Sequence, residues 1–153
     1  MKDTKIFKTL VIFIFFFFVS NEIYSCQIEY FSKKNILILD KDKNKSFTFV
    51  VEIAKSNHEK KKGLQCRKYL KENEGMLFMW DFEDYRYFWM KNTNVPLDII
   101  FIDSNFKIVD IFSNAQPNTL DLITSKEKAM YILELNAGIS KNLGLKNGDM
   151  ISF

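Results

Sequence analysis

The chain has 153 residues, and its 22 basic against 19 acidic residues give a formal net charge of +3. This length provides one small hydrophobic core and leaves no room for a second domain. Only Arg67 and Arg86 among the basic residues are arginines. Nucleic-acid recognition depends on arginines and on clustered basic faces, so nucleic acid is not an expected partner.

The first 25 residues are predicted to be a signal peptide. Lys2, Lys5 and Lys8 precede an uninterrupted apolar run over residues 10–19, LVIFIFFFFV, which is the layout of a secretory signal. The run is shorter than the roughly 20 apolar residues that a bilayer-spanning helix needs. We therefore expect an exported protein, periplasmic or extracellular.

The two cysteines, Cys26 and Cys66, leave two alternatives open. The segment Ile23-Tyr24-Ser25-Cys26 resembles a lipobox, which would make Cys26 a lipidation site and tether the domain to a membrane. Without lipid, Cys26 could form a disulfide with Cys66 in an oxidising compartment. The membrane is expected as a partner only through the signal segment or this lipid anchor.

After the signal peptide, residues 26–45 are predicted to be a lead-in with the first strand, and residues 46–153 a single β-sandwich domain. Apolar residues at 36–39 and alternation over 47–53 indicate two strands. A short helix follows.

Residues typical of helix termini mark both ends of this helix. Ser56 can cap its beginning, and Glu59, three residues later, can close a capping box. Gly63 suits the left-handed turn that ends a helix.

Two hairpins are predicted in the middle of the chain. Residues 76–80 and 86–90 would pair across a polar turn, and residues 97–102 would pair with 106–112. Turn residues between each pair of apolar runs carry this interpretation.

The last third is predicted to begin with a long polar loop over residues 113–127. A strand at 131–135, one or two helical turns at 137–143 and a terminal strand at 150–153 follow. Seven or eight short strands with one or two short helices predict a mainly β fold, either a sandwich or a partly open barrel.

Three sequence blocks then point to a known family: GLQCR at residues 63–67, EGMLF at 74–78, and FWMKNTNVPLDIIFID at 88–103. The similarity continues through residues 133–138 and 143–149. The chain resembles the domain of unknown function 192 family, also called uncharacterised protein family 0127. The resemblance implies a compact jelly-roll-like β-sandwich, often exported, with no settled function and no catalytic residues to carry over.

The strongest candidate site is the stretch from Trp89 to Asp98, together with Arg67. An aromatic platform beside hydrogen-bonding side chains suits a sugar or a peptide end. The residues predicted to bind ligand are Arg67, Trp89, Lys91, Asn92, Thr93 and Asp98. The alternative is that Asn92 and Thr93 satisfy loop backbone and that Trp89 belongs to the core.

Other chemistries have weaker patterns. Met76, Met79 and Met90 could form a thioether site for Cu(I), although methionine more often fills a hydrophobic core. One histidine and two cysteines are too few for a zinc site. No catalytic residue, cofactor or metal is predicted.

The sequence thus favours a non-catalytic envelope or extracellular module that binds a small polar ligand, a glycan or a peptide end. One alternative is a hydrolase using Arg67 and Asp98 in a surface pocket. Another is an envelope protein-assembly or stability factor, which would present a long unpaired sheet edge or an apolar surface patch to an envelope protein.

Overall fold

The structure is a computed structural model that describes residues 26–41 and 44–153. The predicted signal peptide, residues 1–25, lies outside the described residues. Within them, no helix is both long enough and apolar enough to cross a bilayer. The elements are β1 (Lys33–Leu39), β2 (Ser46–Ala54), α1 (Asn57–Lys62), β3 (Glu74–Asp84), β4 (Tyr87–Phe88), β5 (Leu97–Ile102), β6 (Ile108–Ala115), β7 (Ile123–Thr124), β8 (Ala129–Asn136), α2 (Ile139–Leu143) and β9 (Met150–Ser152).

Seven of these strands form one sheet in the order β6-β5-β8-β3-β2-β1-β9, and β4 pairs with β7 in a small second sheet. The large sheet curls until its two ends touch, where Lys107 bridges Met150 next to β6 and β9. The predicted mainly β fold with two short helices is confirmed, and the partly open barrel is the alternative that describes this curled sheet. Residues 26–45 contribute β1 to the same sheet.

Both faces of the curled sheet are buried. The inner face packs one hydrophobic cluster that contains residues from all seven strands, such as Val51, Leu77 and Ile100. The outer face packs a second cluster, with Met76 and Ile99, beneath the connection between β2 and β3 and beneath the small sheet. Neighbouring residues along a strand therefore alternate between the two clusters.

One strand pair of the large sheet, β2 with β3, is parallel, with Val51 opposite Gly75. Parallel neighbours need a crossover connection. The crossover between residues 55 and 73 lies on the outer face, where its Leu64 and Leu70 join the second cluster. This connection forms one wall of the candidate site.

Local signals in the crossover are confirmed. The Ser56 side chain accepts a hydrogen bond from the Glu59 N–H at 3.2 Å, and the Glu59 carboxylate accepts one from the Ser56 N–H at 2.7 Å. Gly63 ends α1 as predicted, but with φ +49° and ψ −140° its backbone is not in the predicted left-handed helical conformation. A Cβ at Gly63 would lie 3.3 Å from the Phe78 ring, so this glycine also allows the crossover to approach the sheet closely.

The first predicted hairpin, residues 76–80 with 86–90, is wrong. Strand β3 lies between β2 and β8 in the centre of the sheet, and β4 pairs with β7 instead. Residues 75–78 are buried without alternation, as expected for a central strand covered on both faces.

The second predicted hairpin is confirmed as the antiparallel pair β5 and β6. The polar segment 113–127 is less of a loop than predicted, because β6 extends to Ala115 and β7 lies within the segment.

A disulfide joins Cys26 to Cys66, with their Cα atoms 5.5 Å apart. It attaches the start of the described chain to the crossover. A Cys26 sulfur held in a disulfide cannot also carry a lipid, so this form of the protein corresponds to the unlipidated alternative.

Candidate functional site

A pocket of about 240 Å³ opens on the outer face of the barrel. One wall is the end of α1 and the start of the following loop, residues 60–65. The opposite wall comes from residues between Tyr87 and Thr93, and Phe78 and Glu134 line the pocket from the sheet. Concave sites with aromatic walls and a few polar groups are the usual form of small-ligand sites.

Three of the six predicted ligand-binding residues line this pocket: Trp89, Lys91 and Thr93. Trp89 is 46% exposed, so the alternative that it belongs to the core is wrong. The Lys91 Nζ lies 5.3 Å from the centre of the Trp89 ring. Together they give the pocket an aromatic surface with an adjacent positive charge.

Asn92 holds the pocket together through its backbone. It has a left-handed φ of +57°, and its carbonyl accepts a hydrogen bond from the Cys66 N–H at 2.8 Å. This bond joins the two walls. The Thr93 N–H donates to the Met90 carbonyl at 3.0 Å, and the Thr93 hydroxyl donates to the Lys91 carbonyl at 3.5 Å, the local side-chain contact that the alternative predicted for this residue.

Arg67 does not line the pocket. Its guanidinium instead forms a buried ion pair with Glu52. Its Nη1 and Nη2 donate to the two carboxylate oxygens of Glu52 at 2.6 and 2.7 Å, and Nη2 also donates to the Glu29 carbonyl at 2.7 Å. Both side chains of the ion pair are buried. Its Nε has no hydrogen-bond partner among the described residues.

Asp98 lies on the inner face of the sheet, away from the pocket, and is fully buried. Its carboxylate accepts hydrogen bonds from the Ser140 N–H at 2.8 Å, the Ser140 hydroxyl at 2.6 Å and the Asn114 N–H at 2.9 Å. Asp98 thereby fixes α2 against the barrel. Since Arg67 is on the outer face, the two residues do not share a pocket, and the predicted Arg67–Asp98 hydrolase site is wrong.

Glu134 is one of several site residues that were not predicted from the sequence, together with Lys60, Phe78 and Tyr87. It lies on β8 opposite Met76, which in turn lies opposite Glu52, so the two glutamates flank one methionine on the outer face. Glu134 is 5% exposed, and no described residue hydrogen-bonds to its carboxyl group. Burial raises its pKa to about 8, against a smaller lowering by the Arg67 charge. The available signal was a glutamate inside an otherwise apolar strand, YILEL.

The aromatic wall is a packed cluster. The Phe78 and Phe88 rings meet edge to face at 5.1 Å, and Trp80 contacts both rings at 6.3–6.4 Å. The Lys60 Nζ lies 4.7 Å from the Trp80 ring centre, and burial lowers the Lys60 pKa. Tyr87, 63% exposed, extends the wall towards solvent.

The three methionines considered for copper do not converge. Met76 and Met90 belong to the outer cluster, whereas Met79 packs against the inner one. Within the described part of the chain, no group of three His, Cys, Asp or Glu side chains is arranged to hold a metal ion.

The family model of DUF192 (Uncharacterized ACR, COG1430) matches residues 38–153. A crystal structure from Sinorhizobium meliloti 1021, provisionally described as a transcription regulator, is 34% identical, has a TM-score of 0.77, and aligns over 82% of this chain and 96% of its own. A protein of unknown function from Novosphingobium aromaticivorans DSM 12444 is 29% identical with a TM-score of 0.77, over 86% of this chain and 95% of its own. No protein of curated function matches.

Proposed function

This chain belongs to the DUF192 family, and we propose that it is a non-catalytic envelope or extracellular module that binds a small polar ligand, a glycan or a peptide end, in the pocket above Glu134. The observation that carries the proposal is a carboxyl group, on a residue only 5% exposed, that lines an aromatic-walled pocket and has no hydrogen bond from the described residues. A buried polar group without a hydrogen bond is costly, and a ligand could supply the missing partner.

The pocket walls suit such a ligand. Tyr87 and Trp89 offer partly exposed ring faces on one side, and ring faces pack against the apolar surface of a sugar or side chain. Charged donors lie beside the aromatic wall, with Lys60 over the Trp80 ring and Lys91 over the Trp89 ring. The site contains no nucleophile paired with a base among the described residues, which supports binding rather than catalysis.

A role in transcription regulation, which is how one structural relative is described, is not part of the proposal, because the arginines that nucleic-acid recognition would need are engaged. Arg67 is engaged with Glu52. Arg86 is buried and donates to the carbonyls of Phe82 and Ala129. Both arginines are therefore committed to the interior of the domain.

The proposal includes export. Disulfides are rare in reducing cytosol, so the Cys26–Cys66 bond supports an oxidising compartment. We expect both cysteines to resist a thiol-specific alkylating reagent in protein taken from intact cells, and to react only after a reductant is added. Two reactive thiols in the untreated protein would contradict both the disulfide and the export that it supports.

The ligand proposal is tested by titrating the mature protein with panels of mono- and oligosaccharides and short peptides, using thermal shift and calorimetry. We expect at least one class to bind the unmodified protein, and Trp89→Ala to weaken that binding about tenfold or more through loss of its ring contact. The matched control is Tyr69→Ala, which removes a 73% exposed aromatic side chain that lies outside the pocket. Failure of every ligand to bind, or equal losses in the two variants, would contradict the proposal.

An envelope protein-assembly role is a second candidate, favoured by two exposed apolar residues that precede β7. Leu120 and Leu122, in the loop just before β7, are 65% and 66% exposed. Contiguous exposed apolar residues are typical of protein contact surfaces. A screen in which no small molecule binds would favour this role over the first.

A further inference from the structure

The charge of the pocket selects among small polar ligands, provided that the proposed binding function holds. Four lysines line it: Lys60, Lys61, Lys62 and Lys91. Lys62 lies 3.7 Å from the Glu29 carboxylate, but no carboxylate among the described residues lies within ion-pair distance of the other three. The rim therefore carries uncompensated positive charge.

Glu134 is the single acidic residue that lines the pocket among the described residues, and burial keeps it protonated at neutral pH because its pKa is about 8. A protonated carboxyl group donates a hydrogen bond as well as accepting one. The base of the pocket can thus offer a neutral O–H donor beneath a positively charged rim. A neutral acid next to lysines suits an anionic oxygen far better than a cation.

From this arrangement we infer that the ligand carries a carboxylate group, which Lys91 and Lys60 contact while Glu134 donates a hydrogen bond to it. The adjoining Tyr87 and Trp89 rings provide the surface for the rest of the ligand. Two sources share this chemistry: an acidic sugar, whose ring stacks on the aromatic side chains, and the free carboxyl end of a peptide.

The inference also has a pH dependence. The charge that acts on Glu134 is that of Arg67, which is paired with Glu52. The lysines of α1 and of the loop after β4 line the same pocket, and Met76 and Ile99 on the adjoining strands are neutral. Above about pH 8 the ionised Glu134 would lose its donor proton and repel the ligand. Binding should weaken as the pH rises through this range.

The experiment compares matched pairs by calorimetry: galacturonate against galactose, and a tripeptide with a free against an amidated carboxyl end. We expect at least tenfold tighter binding of the acid in one pair, because hydrogen bonds to an ionised group are stronger than those between neutral groups. The pair that shows the preference identifies the source. Lys91→Gln should remove most of it, whereas Lys141→Gln, an exposed lysine on α2, should leave it unchanged.

Glu134→Gln provides the second readout. The affinity of this variant for the carboxylate ligand should not weaken around pH 8, because it has no carboxyl group to ionise at this position. Loss of charge on the lysines at higher pH would weaken binding equally in both proteins. Equal binding of acid and neutral partners would overturn the inference and leave the proposed function standing. Absence of binding by all four ligands and by the wider panel would overturn the proposed function itself.

Discussion

Replacing Arg67 with alanine is expected to lower the free energy of unfolding by about 3–5 kcal/mol. The substitution leaves the Glu52 carboxylate buried with neither of its two short bonds to the guanidinium. It also removes the donor to the Glu29 carbonyl, which attaches the N-terminal segment to the crossover. Urea unfolding of the purified variant measures the loss.

The matched control is Lys71→Ala. Lys71 forms an ion pair with Glu74 at 3.5 Å, but its side chain is 66% exposed, so its loss should cost less than about 1 kcal/mol. The double variant Arg67→Met, Glu52→Gln should recover part of the stability, because no buried charge is then left alone. If Arg67→Ala and Lys71→Ala lower the free energy of unfolding by similar amounts, the buried ion pair stabilises the protein no more than the exposed one.

Replacing Glu134 with glutamine is expected to stabilise the protein at pH 9 by up to about 5 kcal/mol, while changing little below about pH 4.5. The pKa of Glu134 is about 8 in the folded protein and 4.5 without the surrounding structure. Between these values the unfolded chain releases the proton and the folded protein retains it, so rising pH favours unfolding. Above pH 8 Glu134 is ionised in both the folded and the unfolded protein, so the destabilisation that it causes no longer changes with pH.

Denaturant unfolding at several pH values between 4 and 9 checks this prediction. The difference in the free energy of unfolding between Glu134→Gln and the unmodified protein should grow from about pH 4.5 to pH 8 and then level off. Glu127→Gln, at an exposed loop position, is the control, and its free energy of unfolding should depend on pH in the same way as that of the unmodified protein. If the free energy of unfolding of Glu134→Gln also follows that of the unmodified protein at every pH, ionising Glu134 does not destabilise the folded protein.

The fold was predictable where its signals are local. The capping box of Ser56 and Glu59, the β5–β6 hairpin and the strand character of β8 all depend on residues within a few positions of one another. The parallel pairing of β2 with β3 was not predictable in this way. It depends on a crossover and on which strands occupy the centre of the sheet, and short apolar runs do not encode that order.

The candidate site was predictable only in part, for the same reason. Trp89, Lys91 and Thr93 are close in the sequence and line the pocket together. Glu134 reaches it only through the register of β8 against β3. Arg67 and Asp98 looked equivalent in the sequence, but the period of two along a strand separates the faces: Asp98 points inward from β5, whereas Arg67 meets Glu52 on the outer side of β2.

The crossover between β2 and β3 separates the demands of folding from those of recognition. The barrel requires only that these two strands run in the same direction, and the linking segment must be long to allow it. Its length supplies residues 60–65 to the pocket, while the Cys26–Cys66 bond and the Asn92 carbonyl fasten it in place. Substitutions at Lys61 or Gln65 could therefore retune ligand choice without altering the sheet, which makes this segment the natural place to engineer a new specificity.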